Sequence, residues 1–136
     1  MEAEATSLSL KLAAEPQNVC QARDEVASYA QALGLSSSRV DDLKTIISEA
    51  CSNIVRHAYP ADAKERPMEV EMDRTDDQLT VTVRDCGTGI RPPTGIRPSS
   101  LRLGFILMGS LADYLQLRTG RGRGTELLMK VRLGSA

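Results

Sequence analysis

Two groups of residues in this sequence have types and spacings suited to chemistry. The first is Glu49, Asn53 and His57, four residues apart within Ser48-Glu49-Ala50-Cys51-Ser52-Asn53-Ile54-Val55-Arg56-His57-Ala58-Tyr59. On an α-helix that spacing makes one stripe. It lies roughly a quarter-turn from the apolar stripe Val40, Leu43, Ile47, Ala50 and Ile54. A carboxylate, an amide and an imidazole would then line the rim of the core. Glu49 there is a candidate general base, and the Asn53 carbonyl oxygen a candidate ligand for a hard cation such as Mg2+. Taken alone, such a trio is ordinarily a solvated helix edge, and a lone histidine is ordinarily a packing or capping residue.

The second group is Asp85-Cys86-Gly87-Thr88-Gly89-Ile90, which leaves the apolar run Val81-Thr82-Val83. A carboxylate at a strand end can accept a hydrogen bond from an exocyclic amine such as adenine N6. Glycines at alternate positions let a flat ring approach the backbone. The plain alternative is a tight turn in which Asp85 satisfies local amides.

Other chemistries are excluded or disfavoured. No GxxxxGK[ST] occurs, so there is no P-loop. The glycine turn runs into a loop and not a helix, so it is no Rossmann fingerprint. His57 is the sole histidine and no Gly-x-Ser-x-Gly elbow accompanies it, which argues against a hydrolase triad. A formal net charge of -1, one Phe and no Trp give no electrostatic or stacking case for direct nucleic-acid binding. The arginines Arg91, Arg97, Arg102, Arg118, Arg121 and Arg123 read as phosphate contacts or solvated surface. No apolar run approaches the ~20 residues of a membrane helix, and the acidic N-terminus does not read as a signal peptide. Cys20, Cys51 and Cys86 are widely spaced and odd in number, which suits a reducing cytoplasm and indicates neither disulfides nor zinc.

At 136 residues the chain fits one domain, 1–136. Leu8, Leu10 and Leu12 alternate across residues 7–13, predicting a half-buried strand. Glu15-Pro16 opens a helix with the stripe Val19, Ala22, Val26, Ala30 and Leu33, stopped by Gly34. A second helix begins in Ser36-Ser37-Ser38, with either Ser38 (facing Asp41 as a capping box) or Ser36 as the cap, and ends before Pro60. Residues 68–73 and 79–84 predict a hairpin across Asp76-Asp77. Residues 87–98 read as loop and residues 104–113 as a short helix. Residues 114–119 and 125–133 read as strands about the turn Gly120-Arg121-Gly122-Arg123-Gly124. This order predicts an α+β two-layer sandwich, with a mixed, largely antiparallel sheet and helices on one face.

In this order, the motifs resemble the GHKL ATPase superfamily, whose members bind ATP in the Bergerat fold. Ser48-Glu49-Ala50-x-x-Asn53 with His57-Ala58-Tyr59 is similar to its N-box, and Asp85-x-Gly87-x-Gly89-Ile90 to its first glycine box. Leu103-Gly104-Phe105, Leu111-Ala112-Asp113 and Gly124-Thr125 are similar to its later motifs. More narrowly, the chain resembles bacterial anti-sigma-factor serine/threonine kinases. The resemblance implies ATP and Mg2+ as cofactors, with Glu49 as general base and Asn53 as the Mg2+ ligand. Asp85 would read the adenine amine, while Gly87 and Gly89, with Ile90, shape the adenine pocket and Thr125 supports recognition. Residues 91–103 would be an ATP lid, and Arg56, His57, Gly104 and Gly124 further contacts. It also implies a sigma factor and an anti-anti-sigma protein of the STAS type as partners, and a homodimer. The chain departs from the pattern in two places. Its lid is short, and Arg102 stands at the first glycine of the second box, offering a charge-assisted contact in place of backbone cradling. A non-catalytic ATP-binding regulator and a histidine-kinase-type catalytic domain are the alternatives.

Overall fold

The structure, a computed structural model, describes residues 7–87, 114–120 and 124–133. Strand β1 (Ser7–Ala13) leads into helices α1 (Pro16–Ala32) and α2 (Ser37–Asn53). A π-helical turn (Ile54–Ala58) follows directly on α2. Strands β2 (Pro67–Thr75), β3 (Gln78–Asp85), β4 (Tyr114–Gly120) and β5 (Gly124–Arg132) complete the order. The five strands form one sheet in the order β1-β2-β3-β5-β4. All four pairings are antiparallel, and of these β2–β3 and β4–β5 join strands consecutive in the chain.

Local sequence explains the helix ends. Pro16 occupies the first turn of α1, where its missing N–H costs nothing, and Gly34 follows the helix as expected. Of the two candidate caps for α2, the structure selects Ser36, whose hydroxyl accepts from the Arg39 N–H at 3.2 Å. Asp76 takes a φ of 51° in the two-residue turn between β2 and β3, a conformation that aspartate tolerates.

Strand alternation sorts the sheet into two faces. Met68, Val70 and Met72 of β2, Leu79, Val81 and Val83 of β3, and Leu127, Met129 and Val131 of β5 are buried on the inner face. They form a single core with Ala22, Val26 and Ala30 of α1 and with Val40, Leu43, Ile46, Ile47, Ala50 and Cys51 of α2. Burying these side chains supplies most of the drive for folding, each large one contributing about 1.5–3 kcal/mol. The expected α+β two-layer arrangement is therefore present.

The outer face carries a row of alternating charge. Register places Lys11 beside Glu69, Glu69 beside Arg84, Arg84 beside Glu126, and Glu126 beside Arg118. Arg84 binds Glu69 at 2.8 Å, Glu71 at 3.2 Å and Glu126 at 3.3 Å. Hydrogen bonds to Glu71 and Glu69 hold its guanidinium even more firmly protonated than usual. Arg118 lies 3.6 Å from Glu126, so this arginine belongs to the sheet's ion-pair network. Arg84→Met leaves three carboxylates without their shared cation. A loss of about 1–2 kcal/mol is expected, shrinking as added salt screens the repulsion. Thermal denaturation at low and high ionic strength checks this.

Candidate functional site

Alternation along β3 puts Leu79, Val81 and Val83 toward the helices, and Asp85 continues that series. A carboxylate therefore occupies the position where another apolar side chain would extend the core, and it is only 7% exposed. Its Oδ1 accepts the Gly87 N–H at 2.9 Å and the Thr125 N–H at 3.2 Å. Oδ2 accepts no hydrogen bond from any described residue. Burial raises the Asp85 pKa above the ordinary carboxylate value, and the two N–H donors offset only part of that. Among the described residues, the second oxygen thus keeps acceptor capacity that suits a donor on a ligand.

Two glycines make room for this arrangement. A Cβ on Gly87 would collide with the carbonyl oxygen of Ala58, and one on Gly124 with the carbonyl oxygen of Asp85. Gly124 also has a φ of 79°, in the region that glycine alone enters freely. Register explains the second contact, since β5 begins beside the end of β3, with Thr125 opposite Asp85. Gly87 is needed because a helix end rests on it. The tight-turn reading, in which Asp85 satisfies local amides, is thus present in the Gly87 N–H bond.

That helix end is the π-helical turn. Glu49 and Asn53 are half-buried on α2, four residues apart on one face. After Asn53 the wider i→i+5 turn breaks the four-residue repeat. His57 consequently leaves the stripe on which regular α-helical spacing would put it, and it is exposed, as is Arg56. Ile54 and Ala58 are buried. The turn delivers the Ala58 carbonyl against Gly87 and the next side chain, Tyr59, onto the same segment. The Tyr59 hydroxyl accepts the Cys86 N–H at 2.8 Å and donates to the Pro67 carbonyl.

The two sequence motifs are thus joined at the junction of helix and sheet. Glu49 lies roughly 13 Å along the helix axis from Ala58, at 1.5 Å per residue. Glu49 makes no hydrogen bond or ion pair with a described residue. Asn53 Oδ1 accepts from Arg56 Nη2 at 3.2 Å, and a carbonyl oxygen keeps a second lone pair for a cation. Among the described residues no three acidic, histidine or cysteine groups gather as a metal cage. A cation here would draw most of its ligands from a bound anion and water, as Mg2+ does at phosphate sites. Gly89, Ile90, Arg102 and Gly104, together with the lid and the short helix of residues 104–113, lie outside the described residues.

The π-helical turn and the bridging role of the Tyr59 hydroxyl were not legible in the sequence, although Tyr59 stands in the motif that resembles the N-box. The local signal for that role was a hydroxyl-bearing aromatic at a helix end, immediately before Pro60. Its partners at residues 67 and 86 are visible only once β2 and β3 are paired.

Comparison with known proteins agrees with this geometry. A family model for the histidine kinase-like ATPase domain matches residues 12–131. The anti-sigma F factor of Clostridium acetobutylicum is 33% identical over 132 residues, covering 90% of this chain and 91% of that protein. The anti-sigma F factor of Pasteuria penetrans is 33% identical over 138 residues, covering 95% and 87%. Among solved structures, one containing the RsbU and RsbW domains of a Mycobacterium tuberculosis protein aligns with a TM-score of 0.73 at 22% identity. It covers 95% of this chain, which spans 32% of that longer protein. A blue-light activated histidine kinase of Erythrobacter litoralis aligns with a TM-score of 0.65 at 20% identity, over 81% of this chain and 40% of its own. With a family model matched along nearly its whole length and the same fold in these structures, the chain belongs to the histidine kinase-like ATPase domain family.

Proposed function

We propose that this chain is a cytoplasmic anti-sigma factor and serine/threonine protein kinase, which binds ATP with Mg2+, holds a sigma factor and phosphorylates an anti-anti-sigma partner on serine. The observation that carries the nucleotide part is the buried Asp85 carboxylate with one unused oxygen, joined through Ala58 and Tyr59 to the helix bearing Glu49 and Asn53. The regulatory part is supported by the anti-sigma F factors that match over nine-tenths of the chain.

In this reading ATP with Mg2+ supplies the transferable γ-phosphoryl group and the neutralising charge around it. Asp85 accepts the adenine amine at Oδ2, and Thr125, opposite it in register, supports recognition of the base. Gly87 and Gly124 keep that end of the pocket narrow. Asn53 offers Oδ1 to the cation, and Arg56, already beside that oxygen, contacts phosphate. Glu49 takes the proton from the attacking serine hydroxyl, a role open to a carboxylate with no partner among the described residues. His57, Gly89, Ile90, Arg102 and Gly104 complete the proposed contact set.

Asp85→Asn separates binding from folding. The amide oxygen can still receive the Gly87 and Thr125 N–H groups, but the amide nitrogen then meets the adenine amine as donor against donor. ATP affinity by calorimetric titration is expected to fall roughly 10- to 100-fold. A carboxyl whose pKa is raised by folding stabilises the fold below its unfolded pKa and loses that contribution as pH rises through the folded value. At neutral pH the variant should therefore melt at the same temperature as wild type or higher. In wild type, ATP affinity should weaken as pH falls through the raised Asp85 pKa, because protonated Oδ2 becomes a donor. Unchanged affinity in Asp85→Asn would remove Asp85 from the adenine site.

Phosphotransfer is tested with radiolabelled ATP and a serine-bearing anti-anti-sigma protein. Glu49→Gln is expected to slow transfer by about 100-fold or more while ATP binding is retained. If wild type binds ATP tightly yet labels no partner, the kinase reading gives way to a regulator that uses ATP only to set its conformation.

A further inference from the structure

The Tyr59 hydroxyl bridges the first residue of β2 and the residue that follows β3. It accepts the N–H of Cys86 at 2.8 Å and donates to the carbonyl of Pro67, the first residue of β2. The Cys86 N–H belongs to the same peptide plane as the Asp85 carbonyl. That carbonyl is wedged against Gly124, where no Cβ fits. Both ends of the Asp85–Cys86 peptide unit are therefore held, one by Tyr59 and the other by the start of β5. The Asp85 side chain is held separately through Oδ1 by Gly87 and Thr125. With peptide plane and Oδ1 both fixed, the direction of Oδ2 is fixed as well.

We propose that Tyr59 is a positioning residue for base selection, its hydroxyl orienting Asp85 Oδ2 so that the pocket takes a base bearing an exocyclic amine at that point and rejects one bearing a carbonyl. The inference rests on Asp85 being the group that reads adenine. A carboxylate oxygen accepts from adenine N6 and repels guanine O6, but this discrimination lasts only while the oxygen cannot swing away. Tyr59 suits the task because it follows the π-helical turn directly and so ties the base end of the site to the helix carrying Asn53. Burial, chiefly, with the Asp85, Cys86 and Glu69 charges, keeps its phenol protonated above the ordinary tyrosine range. The hydroxyl is then a constant donor to Pro67 and leaves its lone pair for Cys86.

The test compares ATP and GTP affinities by calorimetric titration for wild type, Tyr59→Phe, Asp85→Asn and the double variant. Tyr59→Phe should weaken ATP binding about tenfold and GTP binding little, so the ATP-to-GTP ratio falls about tenfold. In the Asp85→Asn background the same change should leave the ratio unaltered, because the oxygen it orients is gone. Equal weakening of both nucleotides, or effects that add in the double variant, would show a merely structural tyrosine and overturn the proposal. Amide exchange in free wild type gives a second readout that does not depend on the variant folding. The Cys86 N–H should be protected relative to unstructured peptide, and exchange at the unstructured rate also overturns the proposal. Wild type with no preference for ATP, unchanged in Asp85→Asn, would defeat the adenine reading itself. An intact Asp85 effect with a flat Tyr59 effect would defeat only the positioning role of Tyr59.

Discussion

A carboxylate placed on the core side of a central strand organises this end of the molecule. Asp85 occupies an inner-face position and satisfies one oxygen with two backbone N–H groups, one from the turn that follows it and one from the neighbouring strand. Burial makes its ionised form costly, and no donor among the described residues meets the second oxygen. The strand order depends on the same contact. Thr125 reaches Asp85 because β5 pairs with β3, 40 residues away in sequence.

The outer face shows why the cation next to Asp85 in sequence does not relieve that cost. Arg84 is adjacent to Asp85 in sequence, but the pleat points it to the opposite side of the sheet. There it is committed to Glu69, Glu71 and Glu126. One face of β3 thus closes a charge network on itself, while the other holds a buried carboxylate. The division follows from strand geometry and needs no further device.

The junction of α2 with the sheet is the second constraint. A regular α-helix continuing past Asn53 would present His57 on the Glu49 and Asn53 stripe. The π-helical turn instead buries Ile54 and Ala58, exposes His57, and sets the Ala58 carbonyl on Gly87. A less favourable helical geometry is tolerated where it brings two parts of a site together. Among the described residues, the contact surfaces that join the end of α2 to the Asp85 turn are backbone and a single hydroxyl, which leaves little freedom for relative drift.

Most of the described elements and the candidate residues Glu49, Asn53 and Asp85 were legible without coordinates, because they depend on local periodicity and local turn chemistry. The alternation of Leu8, Leu10 and Leu12 marked β1, the 3.6-residue stripe of Val40, Leu43, Ile47, Ala50 and Ile54 marked α2, and Asp76-Asp77 marked the hairpin. Glu49, Asn53 and Asp85 stood out because a carboxylate or amide at a core edge is chemically conspicuous. The choice of Ser36 over Ser38, the π-helical turn, and the reason residue 87 must be glycine were decided by packing. So were the hydrogen bonds of Tyr59, whose partners lie 8 and 27 residues away, and the pairing of Asp85 with Thr125. Residue spacing encodes which face a side chain takes on its own element. Which elements then touch, and which backbone groups are left for a ligand, depends on the mutual burial of faces far apart in the chain, and only the tertiary structure determines that.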